Sequence, residues 1–115
     1  MQKSDGMIEK VAKWHETGDL NGLIKASKYH SKPPNGGDMV IRLTAIMGLG
    51  KIGNNRAIKA LKAALKDDEG TVRFASAHEL VKLRVPNIME TLQKTFSRDE
   101  YLRCLAYIKM VEEGK

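Results

Sequence analysis

The segment "IRLTAIMGLGKIG", opening on Ile41-Arg42, returns 31 residues later as "VRFASAHELVKLR", opening on Val72-Arg73. Its start returns again after a further 30 residues, at Leu102-Arg103 in "YLRCLAYIKMV". In this register Ile41 falls on Val72, Leu49 on Leu80, Ile52 on Leu83, Leu61 on Leu92 and Leu65 on Phe96. A unit this short is one supersecondary element, too small to bury its own apolar face, so successive copies must lean on each other.

The apolar spacing inside a copy says what the element is. Ile41, Ala45, Leu49 and Ile52 step by four, four and three, and Ile58, Leu61 and Leu65 make a second stripe of the same kind. Strands would alternate every two residues, so each copy reads as two helices. Asp38 and Asn54 stand where N-caps belong, Ser97 and Glu100 have capping-box spacing, and Pro86 suits a first helical turn. Gly18, Gly50 and Gly53 lie where helices should end. The pattern predicts seven helices, over Met7–Thr17, Leu20–Tyr29, Met39–Lys51, Asn55–Lys66, Thr71–Leu83, Pro86–Phe96 and Glu100–Glu112. Residues 1–6 read as a flexible tail and 7–115 as one domain, with hairpins at about 7–30, 39–66 and 71–96 and a final helix at 100–112. The Pro-Pro and Gly-Gly pairs of "SKPPNGGD" make Ser31–Asp38 the longest connection. Leu49, Leu61, Leu65, Leu80 and Leu92 are the expected core.

Composition excludes several classes. At 115 residues the chain is too short for a dinucleotide-binding domain with a substrate domain, and 5% aromatics argues against a sandwich or barrel. A single cysteine, Cys104, rules out an internal disulfide. The absence of any apolar run near about 18 residues argues against a membrane span. The expectation is therefore a soluble, cytoplasmic protein. A formal charge of +6 is compatible with nucleic acid but does not require it.

The stretch from Ile41 to Arg73 resembles the HEAT-like repeat of the phycobilisome (PBS) lyase type. It carries Ile-Arg, Leu-Gly-Lys-Ile-Gly, Ala-Ile-Lys-Ala-Leu, the acidic turn Asp67-Asp68-Glu69, and Val-Arg again. Residues 74–112 match more loosely, with Val81 and Arg84 where that pattern has glycines. Residues 7–30 match only through "GDLNGLIKA". The resemblance implies an all-α superhelix, a short solenoid of about seven antiparallel helices, with the second helix of each pair lining the concave surface.

Four features compete for a functional role. Gly48-x-Gly50-x-x-Gly53 has dinucleotide-loop spacing, but a helical segment precedes it and no parallel sheet is at hand. The glycines read instead as close helix packing at Gly48 and Gly50 and a left-handed stop at Gly53. His15-Glu16 and His78-Glu79 raise a metal reading, because deoxyhypusine hydroxylase, another HEAT-repeat family, holds di-iron through such pairs. There the histidine directly follows the repeat arginine, whereas Phe74 follows Arg73 here. His78 aligns with Met47 and Ile108, read as packing positions, so no metal, cofactor or catalytic residue is expected. Arg42, Arg73 and Arg103 follow the acidic turns at Asp38, Asp68 and Asp99, and are read as ties between repeats. Lys59, Lys62 and Lys66 share a flank of the fourth helix with Arg56 one turn before. Lys25 and Lys28 on the second helix and Lys94 on the sixth extend this basic surface.

The expected function is a non-enzymatic module that binds a protein partner through this partly basic concave face. The alternatives are DNA or RNA binding through the same groove, or an accessory role in a lyase or a metal-dependent hydroxylase. No aromatic residue interleaves with the lysines to stack bases. The HEAT-like DNA glycosylases are longer, and their catalytic Asp and Trp cluster has no match here. The last helix lacks a following mate, so a homodimer through it is also expected.

Overall fold

A computed structural model describes residues 6–114, in which every regular element is helical. In chain order these are α1 (Met7–Thr17), α2 (Leu20–Ala26), α3 (Gly37–Ile52), α4 (Asn55–Ala63), α5 (Gly70–Lys82), α6 (Ile88–Thr95) and α7 (Arg98–Glu113), with a short 3-10 turn, Ala64–Lys66, extending α4. Apart from Gly6, the expected N-terminal tail lies outside the described residues.

Local chemistry sets most of the boundaries. The Asn54 side chain accepts from the Ala57 N–H at 2.9 Å, Asp19 from Gly22 at 2.9 Å, and Ser97 from Glu100 at 3.1 Å. Each bond satisfies one of the N–H groups that a helix start leaves without a partner. At its other end α3 stops on Gly53, whose φ of 63° puts it in the left-handed region. Asn54→Ala, which removes the cap of α4, is expected to cost about 0.5–2 kcal/mol of unfolding free energy, readable by urea titration.

Four local expectations need correction. Asp38 does not cap α3; it sits inside the first turn, and its Oδ2 accepts from Ser31 N, Ser31 Oγ and Asn35 N at 3.0, 3.0 and 3.3 Å. The preceding loop supplies those donors, so Asp38 ties down the connection the sequence left open. Pro86 precedes α6 rather than starting it, because Asn87 adopts a left-handed φ of 61° that no helix interior allows. α2 ends at Ala26: Lys28 and Tyr29 donate to Lys25 and Ala26 carbonyls in tighter three-residue turns. Glu100 completes no capping box, since its carboxylate turns to Arg73 instead.

The helices pair as hairpins, α1 with α2, α3 with α4 and α5 with α6. α3 packs on α1, α2, α4 and α5, and α5 repeats the pattern with α3, α4, α6 and α7. The body is elongated, 42 × 27 × 26 Å. Leu23, Ile41, Ile46, Leu49, Leu61, Val72, Leu80 and Leu92 are sealed from solvent along its length. Each such side chain contributes about 1.5–3 kcal/mol. A Cβ on Gly48 would come within 2.9 Å of Leu23, and one on Gly50 would collide with the Glu79 side chain. Gly48 and Gly50 therefore allow close packing inside α3, while Gly53, the last glycine of the motif, ends the helix.

Candidate functional site

Arg56, Lys59, Ala60 and Ala63 step along one face of α4 by three, one and three residues. With Ile24 of α2 and Lys28 in the turn just after it, they line an open groove of about 300 Å³. The residues between its cations are small or apolar: Ile24, Ala60 and Ala63. The Arg56 guanidinium spans the two helices, donating to Asn21 Oδ1 at 2.7 Å. Lys28, Ala60 and Ala63 also line an adjoining cleft of about 160 Å³, which adds His30 and Lys66. A third cleft, of about 580 Å³, lies between the second and third hairpins and brings Lys66 and Lys94 together with Arg73, Phe96 and Glu100.

Five of the seven expected cations thus line one chain of clefts. Lys25 and Lys62 are exposed but line none of the three. For Lys62 the reason is helical geometry: it follows Leu61 and precedes Ala63, about 100° round the helix from the groove-lining alanine.

The arginines at the repeat starts differ sharply from one another. Arg42 is buried and forks onto Asp67, Nε to Oδ2 at 2.9 Å and an Nη to Oδ1 at 3.2 Å. It also donates to Asp68 at 3.3 Å and to the Tyr29 carbonyl at 2.9 Å, binding three successive segments together. Its partner is therefore the acidic turn of the following repeat and not Asp38. Arg73 bonds Glu100 on α7 at 2.5 Å and the Asp67 carbonyl at 2.7 Å, and makes no bond to Asp68. One repeat on, the Asp67 position is occupied by Arg98, so the carboxylate partner shifts to Glu100. Arg103 reaches only Asp99, one turn away at 2.9 Å on the same helix, with both side chains about three-quarters exposed. It ties no repeat to another.

Burial pushes the Asp38 carboxyl pKa up. Hydrogen bonds from Ser31 and Asn35, with the nearby Arg42 charge, more than offset this and leave it below the usual 3.8. Asp38 therefore contributes stability above that pH, lost as pH falls through its lowered folded value. Burial, with the Glu100 charge nearby, raises the Cys104 thiol to about 11, so at neutral pH it is a packed, protonated core residue.

His78 is buried, as expected, but it is also bonded: Nε2 lies 2.5 Å from Glu112 on α7, and Nδ1 lies 3.9 Å from Glu79. Its register equivalent Met47 is half exposed, contrary to its reading as a packing residue. The buried His15 Nε2 has no hydrogen-bond partner and packs beside Gly48. Among the described residues no three His, Cys, Asp or Glu side chains cluster as a metal set. None of the described helices is long and apolar enough to cross a membrane.

Sequence reasoning missed Glu100 as the partner of Arg73, Glu112 as the partner of His78, and the Tyr29 carbonyl as an acceptor for Arg42. The 31-residue offset from Glu69 to Glu100 could have found the first. No pattern of side chains signals a backbone acceptor.

Stacked helical hairpins tied by arginine–carboxylate bonds across their turns define an α-solenoid. A family model described as HEAT repeats matches residues 35–108, well over half of the chain, and the protein belongs to that family. Comparison with curated proteins and with solved structures gave no match. HEAT repeats commonly mediate protein–protein interaction.

Proposed function

We propose that residues 7–115 act as one non-enzymatic binding module, whose groove between α2 and α4 receives an acidic segment of a partner protein. The observation that carries this reading is the convergence of Lys28, Arg56 and Lys59 around Ile24, Ala60 and Ala63. Carboxylates of an extended or helical segment would meet the three cations, and a small apolar side chain would fit between them. Lys66 and Lys94 stand in a further cleft, where Asp67 and Glu100 offset part of their charge. The lone cysteine, which needs no oxidising compartment, is in keeping with a cytoplasmic setting.

Nucleic acid is the competing ligand for the same cations. No aromatic side chain lines the α2–α4 groove to stack a base, which favours the protein partner. The likeness of Ile41–Arg73 to the phycobilisome-lyase repeat concerns the scaffold, and a scaffold does not specify a reaction.

Affinity purification of the full chain from its native cell, with proteins and nucleic acids identified in one eluate, tests the reading. A protein partner retained by the wild type and lost with Lys28→Glu/Lys59→Glu is the expected result. Retention by that variant would remove the groove from consideration. Recovery of nucleic acid alone, with binding that falls steeply with salt, would replace the reading with the competing one.

A further inference from the structure

The three repeat copies provide an internal standard for what a helix face is built to meet. At one register position stand Ile41, Val72 and Leu102; at a second, Ala45, Ser76 and Ala106; at a third, Leu49, Leu80 and Met110. The α3 and α5 members of every set are buried, each 1% exposed or less. On α7, Leu102 is 50% exposed, Met110 is 63% exposed, and Ala106 is exposed between them. The arginine position follows the same trend, from buried Arg42 through half-buried Arg73 to exposed Arg103. α7 thus carries the outward face of an interior repeat helix. It packs on α5 and α6, while no hairpin mate of its own occurs among the described residues.

The preceding repeat shows what such a face takes. α3 is packed by α4, whose Ala57, Ala60, Leu61, Ala64 and Leu65 are buried, and the turn that follows brings Asp67 and Asp68 to Arg42. α5 is packed by α6, and Glu100 beyond it reaches Arg73. In both cases the hairpin mate is an amphipathic helix followed by a carboxylate for the arginine, and it shares the cover with the first helix of the next repeat. The Arg103–Asp99 pair is a solvent-exposed bond within one helix, so Arg103 can exchange it at little cost.

We infer that the Leu102, Arg103, Ala106 and Met110 face of α7 docks one amphipathic helix of a partner protein, with a Leu/Ala stripe and an acidic turn at its C-terminal end. The stripe covers Leu102 and Met110, and the turn's carboxylate takes Arg103. This surface is separate from the α2–α4 groove, and neither reading depends on the other.

The probe is a synthetic peptide spanning Asn54–Glu69, which is α4 with its own acidic turn, titrated into the full chain while backbone amide NMR shifts are followed. Saturable shifts centred on Leu102, Arg103, Ala106 and Met110 are expected. Leu102→Asp should weaken binding by about tenfold or more. So should Arg103→Glu, or the peptide with both aspartates of its turn changed to lysine. These chain positions are exposed, so the variants keep the fold, which the unchanged remainder of the spectrum verifies. Absence of saturable shifts, shifts confined to the Lys28 and Arg56 groove, or binding unaffected by Leu102→Asp would overturn the inference. So would a wild-type dimer in sedimentation that Met110→Asp converts to monomer, because the homodimer expected from the sequence would then occupy the face.

Discussion

Leu61→Asp is expected to abolish cooperative unfolding, leaving a chain with weak, gradually melting helical circular dichroism. Leu61 is fully buried in α4, in the middle of the second hairpin. Truncation of such a leucine alone costs about 2–5 kcal/mol through lost burial and the cavity left behind. A carboxylate at the same point adds the penalty of an unpaired charge in an apolar setting, which is far larger than a methylene's worth of transfer. Domains of this size hold only about 5–15 kcal/mol of net stability, so the combined loss exceeds what is available. Lys62→Asp, one residue on and exposed, changes the net charge by even more, since a cation is lost as well as an anion gained, and should still stay within about 0.5 kcal/mol of wild type. A near-wild-type melt for Leu61→Asp would show that the register of α4 is wrong.

The second large effect belongs to Arg42. Its side chain is 3% exposed and that of Asp67 is 6% exposed, so Arg42→Ala strands a buried carboxylate and leaves the Tyr29 carbonyl without its guanidinium donor. Breaking one side of such a buried pair costs about 3–5 kcal/mol. The exposed Arg103–Asp99 pair, by contrast, is worth about 0–1 kcal/mol. Urea titrations of the three alanine variants should therefore rank Arg42 well above Arg103, with Arg73, half buried against Glu100, between them. Equal costs for Arg42→Ala and Arg103→Ala would mean that the arginines are surface charges and tie nothing together.

The repeat made most of this architecture legible. A stripe at Ile41, Ala45, Leu49 and Ile52 has only one helical reading, and Asn54 and Gly53 mark where one helix stops and the next begins. Side chains that act across space were harder to read. Arg42 stands four residues after Asp38, a spacing that suggests a local pair, yet both form bonds elsewhere because the loop and the next acidic turn fold onto them. His78 was readable as buried from its place in the repeat, but Glu112 lies 34 residues away on another helix and shares no motif with it. The basic groove was half legible: helical spacing grouped Arg56 and Lys59 with Lys62 and Lys66, but only the first two line it, and the place of Lys28 opposite them depends on the turn that follows α2. Lys62 shares the charge and the helix but is turned away from the groove.

The central claim is that one structural position recurs through the stack and is sealed wherever a neighbour covers it. Aspartate placed at Leu49, Leu80 and Met110 in turn, each variant followed by thermal circular dichroism, tests this most directly. Leu49→Asp and Leu80→Asp should lose the cooperative transition, while Met110→Asp keeps a transition within about 0.5 kcal/mol of wild type. Comparable destabilisation at all three positions, or survival of Leu49→Asp, would contradict it.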